Sequence, residues 1–211
     1  DPGTGLTWLR QAGEEGLLLA QLDLAELLFS GVDLPRDYAE ALKWGRAAAK
    51  SDSARARYYL GRHYDRGLGV GLDYHAALRH FKFAAERGVA PAQRRLGQYL
   101  AAGIAVDADL ENGLYWLELA AEGGDQLAQY DLARRYNLGN GVEKDQAKAR
   151  ALYRRAAEAG NAKAQHDLAM FHIKGLQGAV DLTEGRFWLQ RAAAAGIAQS
   201  QFQLGRLLLT E

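Results

Sequence analysis

Cysteine is absent from the 211 residues, which excludes a disulfide framework and thiol chemistry. Charge of one sign is absent too. Lys and Arg total 26 and Asp and Glu total 26, so the basic excess that nucleic-acid binding calls for is missing. No apolar run approaches the roughly 18 residues of a membrane span. Proline occurs only three times and Met once. No Gly-x-Ser-x-Gly elbow and no phosphate loop occur. What is present is alanine, glycine and arginine in quantity, and 48% apolar residues, enough for a sizeable core. The first residue is Asp1 rather than Met, which fits a removed leader or a trimmed chain.

These residues repeat. Steps of 36 from Ala20 meet Ala56, Ala92, Ala128, Ala164 and Ser200. The same step from Leu24 meets Leu60, Leu96, Leu132, Leu168 and Leu204. A small residue always follows: Ala25, Gly61, Gly97, Ala133, Ala169, Gly205. Gly31, Gly67, Gly103, Gly139 and Gly175 keep the register, as do Asp37, Asp73, Asp109, Asp145 and Asp181. Ala pairs recur at 48–49, 84–85, 120–121, 156–157 and 192–193. Glycine follows them at 88, 124, 160 and 196, with Asp52 as the exception.

Each period reads as two helices. In one of them Ala128, Leu132, Ala133 and Tyr136 share a face, and "GNGVEK" stops that helix. Asp145 stands at an N-cap or in a first turn, and a second helix over about 146–159 ends at Gly160 in a left-handed position. Short-linked antiparallel pairs stacked in series make an α-solenoid. The alanines are then packing geometry, because Ala156, Ala157 and Ala164 lie where one repeat meets the next. The tryptophans at helical spacing read as core. One solenoid domain is expected over 1–211. It comprises a half repeat at 1–19, repeats at 20–55, 56–91, 92–127, 128–163 and 164–199, and a half repeat at 200–211. The chain thus opens on a second helix and closes on a first helix, each lacking its partner. It is either a piece of a longer array or docks by its ends.

The stretches "ARYYLGRHYDRGLGVGLDYHAALRHFKFAAERG" at 56–88 and "AQYDLARRYNLGNGVEKDQAKARALYRRAAEAG" at 128–160 resemble the Sel-one-like repeat, a relative of the tetratricopeptide repeat. The second-helix aromatic of that family is present as Trp44, Trp116 and Trp188, and is replaced by His80 and Leu152 elsewhere. The resemblance implies an all-α fold, a right-handed α-solenoid superhelix of antiparallel helix pairs. It also implies a non-catalytic role in binding other proteins, in a bacterial and often exported setting, so a periplasmic place is favoured over a cytoplasmic one.

The core face of each first helix is set by its Ala, Leu, small and Tyr positions. The third, fourth, seventh and eleventh positions of each period point the other way, toward the concave side of the array. They supply the expected partner-binding residues Tyr58, Tyr59, Arg62, Arg66, Arg94, Arg95, Gln98, Tyr130, Arg134, His166, Met170 and Phe202. Tyr and Arg are enriched at interface hot spots, and an Arg cluster suits carboxylates. The alternative is a solvated helix face. Replacing Tyr58, Arg94 and Tyr130 together by Ala is expected to abolish capture and leave the melt nearly unchanged.

His75 and His80 are five apart rather than four, so no helical metal pair is expected. "GLGVG" at 67–71 falls in a turn between helices without a preceding strand, so it reads as a repeat turn. No catalytic residue, metal or cofactor is expected. The expected function is a scaffold or adaptor that binds an acidic or amphipathic segment of another protein, in an envelope or secretion complex. The alternative is an immunity protein or inhibitor that neutralises a secreted effector enzyme. No nucleic acid and no membrane span are expected, and the sequence leaves the oligomeric state open.

Overall fold

In the computed structural model, residues 2–32, 34–176 and 178–209 are described. They form twelve α-helices and, among the described residues, no strand. The fold is the all-α solenoid of helix pairs that the repeat predicts. Two compact units divide it, Asp1–Trp116 and Leu117–Glu211.

The first unit holds α1 (Pro2–Glu14), α2 (Leu18–Ser30), α3 (Tyr38–Ala49), α4 (Ala54–Arg66), α5 (Tyr74–Ala85), α6 (Ala90–Ala102) and the start of α7 (Leu110–Glu122). Each helix packs on the next from α1 to α6, and α2 also touches α4. The second unit holds the rest of α7, α8 (Gln126–Leu138), α9 (Gln146–Glu158), α10 (Ala162–Lys174), α11 (Leu182–Ala194) and α12 (Ala198–Leu209). Here α8 to α12 pack in succession.

Local chemistry sets these boundaries. The side chains of Asp37, Asp73, Asp109, Asp145 and Asp181 each accept the backbone N–H three residues on, capping the second helices. Ser53, Asp125 and Asn161 do the same for first helices. Gly160 closes the second-helix turn at φ +93. Asp52, where other repeats have glycine, is forced to φ 55. The first helices begin about two residues before the expected repeat boundaries, because the capping residue precedes the repeated alanine by three.

The repeated alanines are buried: Ala20, Ala56, Ala92, Ala128 and Ala164 are at most 2% exposed. Ala156 and Ala157 are at 0% in the α9–α10 pair. In the α4–α5 hairpin a small residue faces a large one. A Cβ on Gly61 of α4 would stand 2.5 Å from the Phe81 ring of α5. In the preceding hairpin both equivalent positions are small, Ala25 and Gly45, and Gly45 lies against Leu60 of α4. Trp44 and Trp188 are core residues, as expected. Trp8 is a correction, at 66% exposed. Its ring stands on α1, whose side that meets α2 and α3 carries Arg10 and Gly13 instead.

One recurrent bond holds successive repeats. The side-chain amides of Gln21, Gln93, Gln129, Gln165 and Gln201 donate to the carbonyls of Gly13, Ala85, Ala121, Ala157 and Ala193, eight residues back in each case. Each bond ties the first turn of a first helix to the last turn of the second helix before it, on a helix-end carbonyl that also accepts the backbone N–H three residues on. Arg57 occupies this register in α4, and its buried Nε has no partner among the described residues.

Candidate functional site

With roughly 100° per residue along a helix, the third and seventh positions of each period point away from the repeated Ala and Leu, whereas the fourth stands only about 60° from the Ala. A solenoid helix, however, has neighbours on more than one side. In the first unit Leu22 and Tyr59 fill the space where α2 meets α4, and both are buried. Tyr59 is therefore a core residue rather than an open contact. Burial first, and the nearby Glu26 charge second, push its hydroxyl up to about 12. Arg55 donates to the same hydroxyl at 2.7 Å.

Tyr58 is half-buried and packs against the cores on both sides of α4. Its ring lies 5.8 Å from Tyr59 and 6.1 Å from Phe81. The expectation that Tyr58 could become Ala without loss of stability is therefore corrected. The Tyr130 ring sits 5.9 Å from Tyr153, so it too is a wedge between open face and core.

The arginines are partly committed. Arg62 pairs with Glu26 at 2.8 Å and lies 3.9 Å over the Phe29 ring. Arg95 pairs with Asp65, which also accepts from the Tyr99 hydroxyl, and donates to Gln98. Arg66 is exposed, 5.9 Å from the Phe29 centroid. Arg94 is half-buried. The face is thus mixed in charge, with carboxylates set among the guanidiniums. Glu26 and Asp65 could be read in the sequence. Their pairing could not, because it crosses helices 30 or 36 residues apart.

Glu26, Arg55, Tyr58, Tyr59, Arg62, Val89 and Pro91 line an open depression of about 470 Å³ in the first unit. In the second unit His166, Asp167, Met170 and Lys174, with Asn137, Phe171, Leu176, Gln199 and Gln203, line another of about 340 Å³. Arg134 is exposed beside Tyr130, and Phe202 is exposed on α12. His166 bonds the Ser200 hydroxyl at 2.8 Å. Ser200 stands where other repeats carry Ala and is fully buried, so this pair is a packing contact and not an accessible nucleophile. Asp167 is pushed up by burial.

His63 and His172 have structural surroundings. His63 is buried and its Nδ1 donates to the Leu68 carbonyl at 2.7 Å, fastening the turn after α4. His172 is buried at the end of α10, 3.4 Å from Arg154. Among the described residues no group of three or more His, Cys, Asp or Glu is placed to hold a metal ion. No helix is long and apolar enough to cross a membrane.

Five consecutive segments, 18–53, 54–89, 90–125, 126–161 and 162–197, match the Sel1 repeat model. The chain belongs to the Sel1 repeat family. A Sel1 repeat protein from Oxalobacter formigenes is 35% identical over 98% of this chain and 60% of its own, with a TM-score of 0.88. A protective antigen present in uropathogenic Escherichia coli strains, with the same repeat fold, is 32% identical over 96% of this chain and 43% of its own, with a TM-score of 0.74. This Sel1 chain therefore spans between two-fifths and three-fifths of the length of those relatives. An immunity protein from Pseudomonas aeruginosa shares the fold at 22% identity over 92% of this chain and 74% of its own, with a TM-score of 0.65. No curated protein matches the chain. Sel1 repeats typically mediate protein–protein interaction.

Proposed function

We propose that the chain is a non-catalytic interaction module that holds a partner protein on the concave, Tyr- and Arg-bearing face of its first helices. One observation carries this reading. In each unit an open depression is lined in part by the third, fourth and seventh positions of the repeat, with half-buried Tyr58 and Arg62 in the first and half-buried His166 and Met170 in the second. Those positions supply Tyr, Arg, His and Met, side chains that offer apolar area with a polar or polarizable end. A scaffold or adaptor needs nothing more. The inhibitor reading draws on the immunity protein of the same fold, and an activity assay on the captured partner separates the two.

The test is site-specific photo-crosslinking of the full chain in extract of the producing organism. A photoreactive residue at exposed Arg66 or Phe202 is expected to give a defined adduct. The same residue at exposed Lys82 of α5 or Gln190 of α11 is expected to give none. Equal labelling from both faces would remove the reading.

A further inference from the structure

Glu26 and Arg62 occupy the same repeat position one period apart, on α2 and α4. The Arg62 guanidinium carbon lies 3.9 Å from the centroid of the Phe29 ring, and its Nη1 donates to the Glu26 carboxylate at 2.8 Å. Stacking on an aromatic leaves a guanidinium's edge free for a planar carboxylate, so this site is built to recognise one. Glu26 is the carboxylate that now fills it, with its side chain 36% exposed.

The surrounding depression holds a second guanidinium, Arg55, and no second carboxylate. Tyr58, Val89 and Pro91 supply its apolar wall. Two cations against one anion leave it one positive charge in excess. Its volume of about 470 Å³ falls within the roughly 300–1,000 Å³ typical of ligand sites.

We propose that this depression takes a carboxylate side chain flanked by an apolar one from a partner protein, and that Glu26 holds the carboxylate's place until the partner displaces it. Both the lost and the gained carboxylate pair with the same guanidinium, so the exchange of one for the other largely cancels. Phe29 keeps Arg62 aimed throughout. The inference rests on the reading of the first-helix face as a partner-binding surface.

The probes are two blocked dipeptides, N-acetyl-Trp-Glu-amide and its neutral counterpart N-acetyl-Trp-Gln-amide, titrated into the isotope-labelled full chain by NMR. The acidic probe is expected to shift the Arg62 Nε–H signal and the Val89 amide, and to bind more tightly than the neutral one. Glu26→Gln, which keeps the Arg62–Phe29 stack, is expected to tighten the acidic probe by about two- to five-fold, the worth of an exposed ion pair. Arg62→Met is expected to remove the preference, with a melt confirming that it folds. Equal affinity for the two probes, no shift at these groups, or unchanged or weakened binding in Glu26→Gln each overturns the proposal. Crosslinking at Arg66 without carboxylate preference leaves the interaction module standing and sinks only this inference. Acidic-probe binding without crosslinking at Arg66 or Phe202 removes the partner-binding reading, and with it a partner protein as the source of the carboxylate.

Discussion

At the scale of single residues, the repeat register shows where the chain departs from its own pattern. Gly69 and Gly141 take φ +71 and +75 in the turns after α4 and α8, and Ala105 stands in the same register at φ 58. An L side chain pays roughly 1–2 kcal/mol in that region. Ala105→Gly is therefore expected to raise stability by about 1 kcal/mol, read as a higher denaturation midpoint. Gly69→Ala should do the opposite and by more, because its Cβ would stand 2.5 Å from the Tyr38 carbonyl oxygen in addition to the backbone strain. A midpoint for Ala105→Gly at or below the parent would show that the turn tolerates alanine without strain. The glutamine bond to a carbonyl eight residues back belongs to this scale as well. Its spacing was visible in the sequence at 21, 93, 129, 165 and 201, yet Gln gives no signal of burial until the helices are stacked.

At the scale of the helix pair, stability depends on how closely two axes approach. Ala156 is fully buried between α9 and α10. Ala156→Leu is expected to overpack that contact at a cost of about 1–3 kcal/mol, measured by chemical denaturation. Gly61→Ala should cost a similar amount, since Phe81 blocks the added methyl. Pairing Gly61→Ala with Phe81→Leu should recover part of the loss, and no recovery would mean the two positions are not coupled. The helices, their caps and the buried alanines were legible because they depend on spacing within one period. The open face was only half legible. Helical angle alone put Tyr58 and Tyr59 on one surface, but the neighbouring first helices bury Tyr59 and grip Tyr58.

At the scale of the whole molecule, pH is the lever that acts through many repeats at once. Burial holds His63, His80 and His172 below the ordinary 6.5, His80 at about 4. The unfolded chain binds these protons first, so they leave stability intact above pH 6.5 and erode it as pH falls from 6.5 toward 4. Asp167, raised by burial, works in the other direction and offsets part of the loss. A melting temperature that declines across this window is expected. His80→Phe, which keeps a ring against Tyr64, should flatten the decline. An equally steep profile in that variant would show that His80 is not one of the groups responsible.

The amino-acid sequence by itself determined the period, the all-α class, the capping residues and the alanine seams, because each follows from which residue recurs at a fixed step along a helix. Tertiary structure alone decided which outward positions stay open, that Arg62 and Arg95 already hold carboxylates, and that Ser200 is sealed away. Those outcomes depend on side chains 30 or more residues apart meeting across helices, and a linear register carries no record of the distance between them.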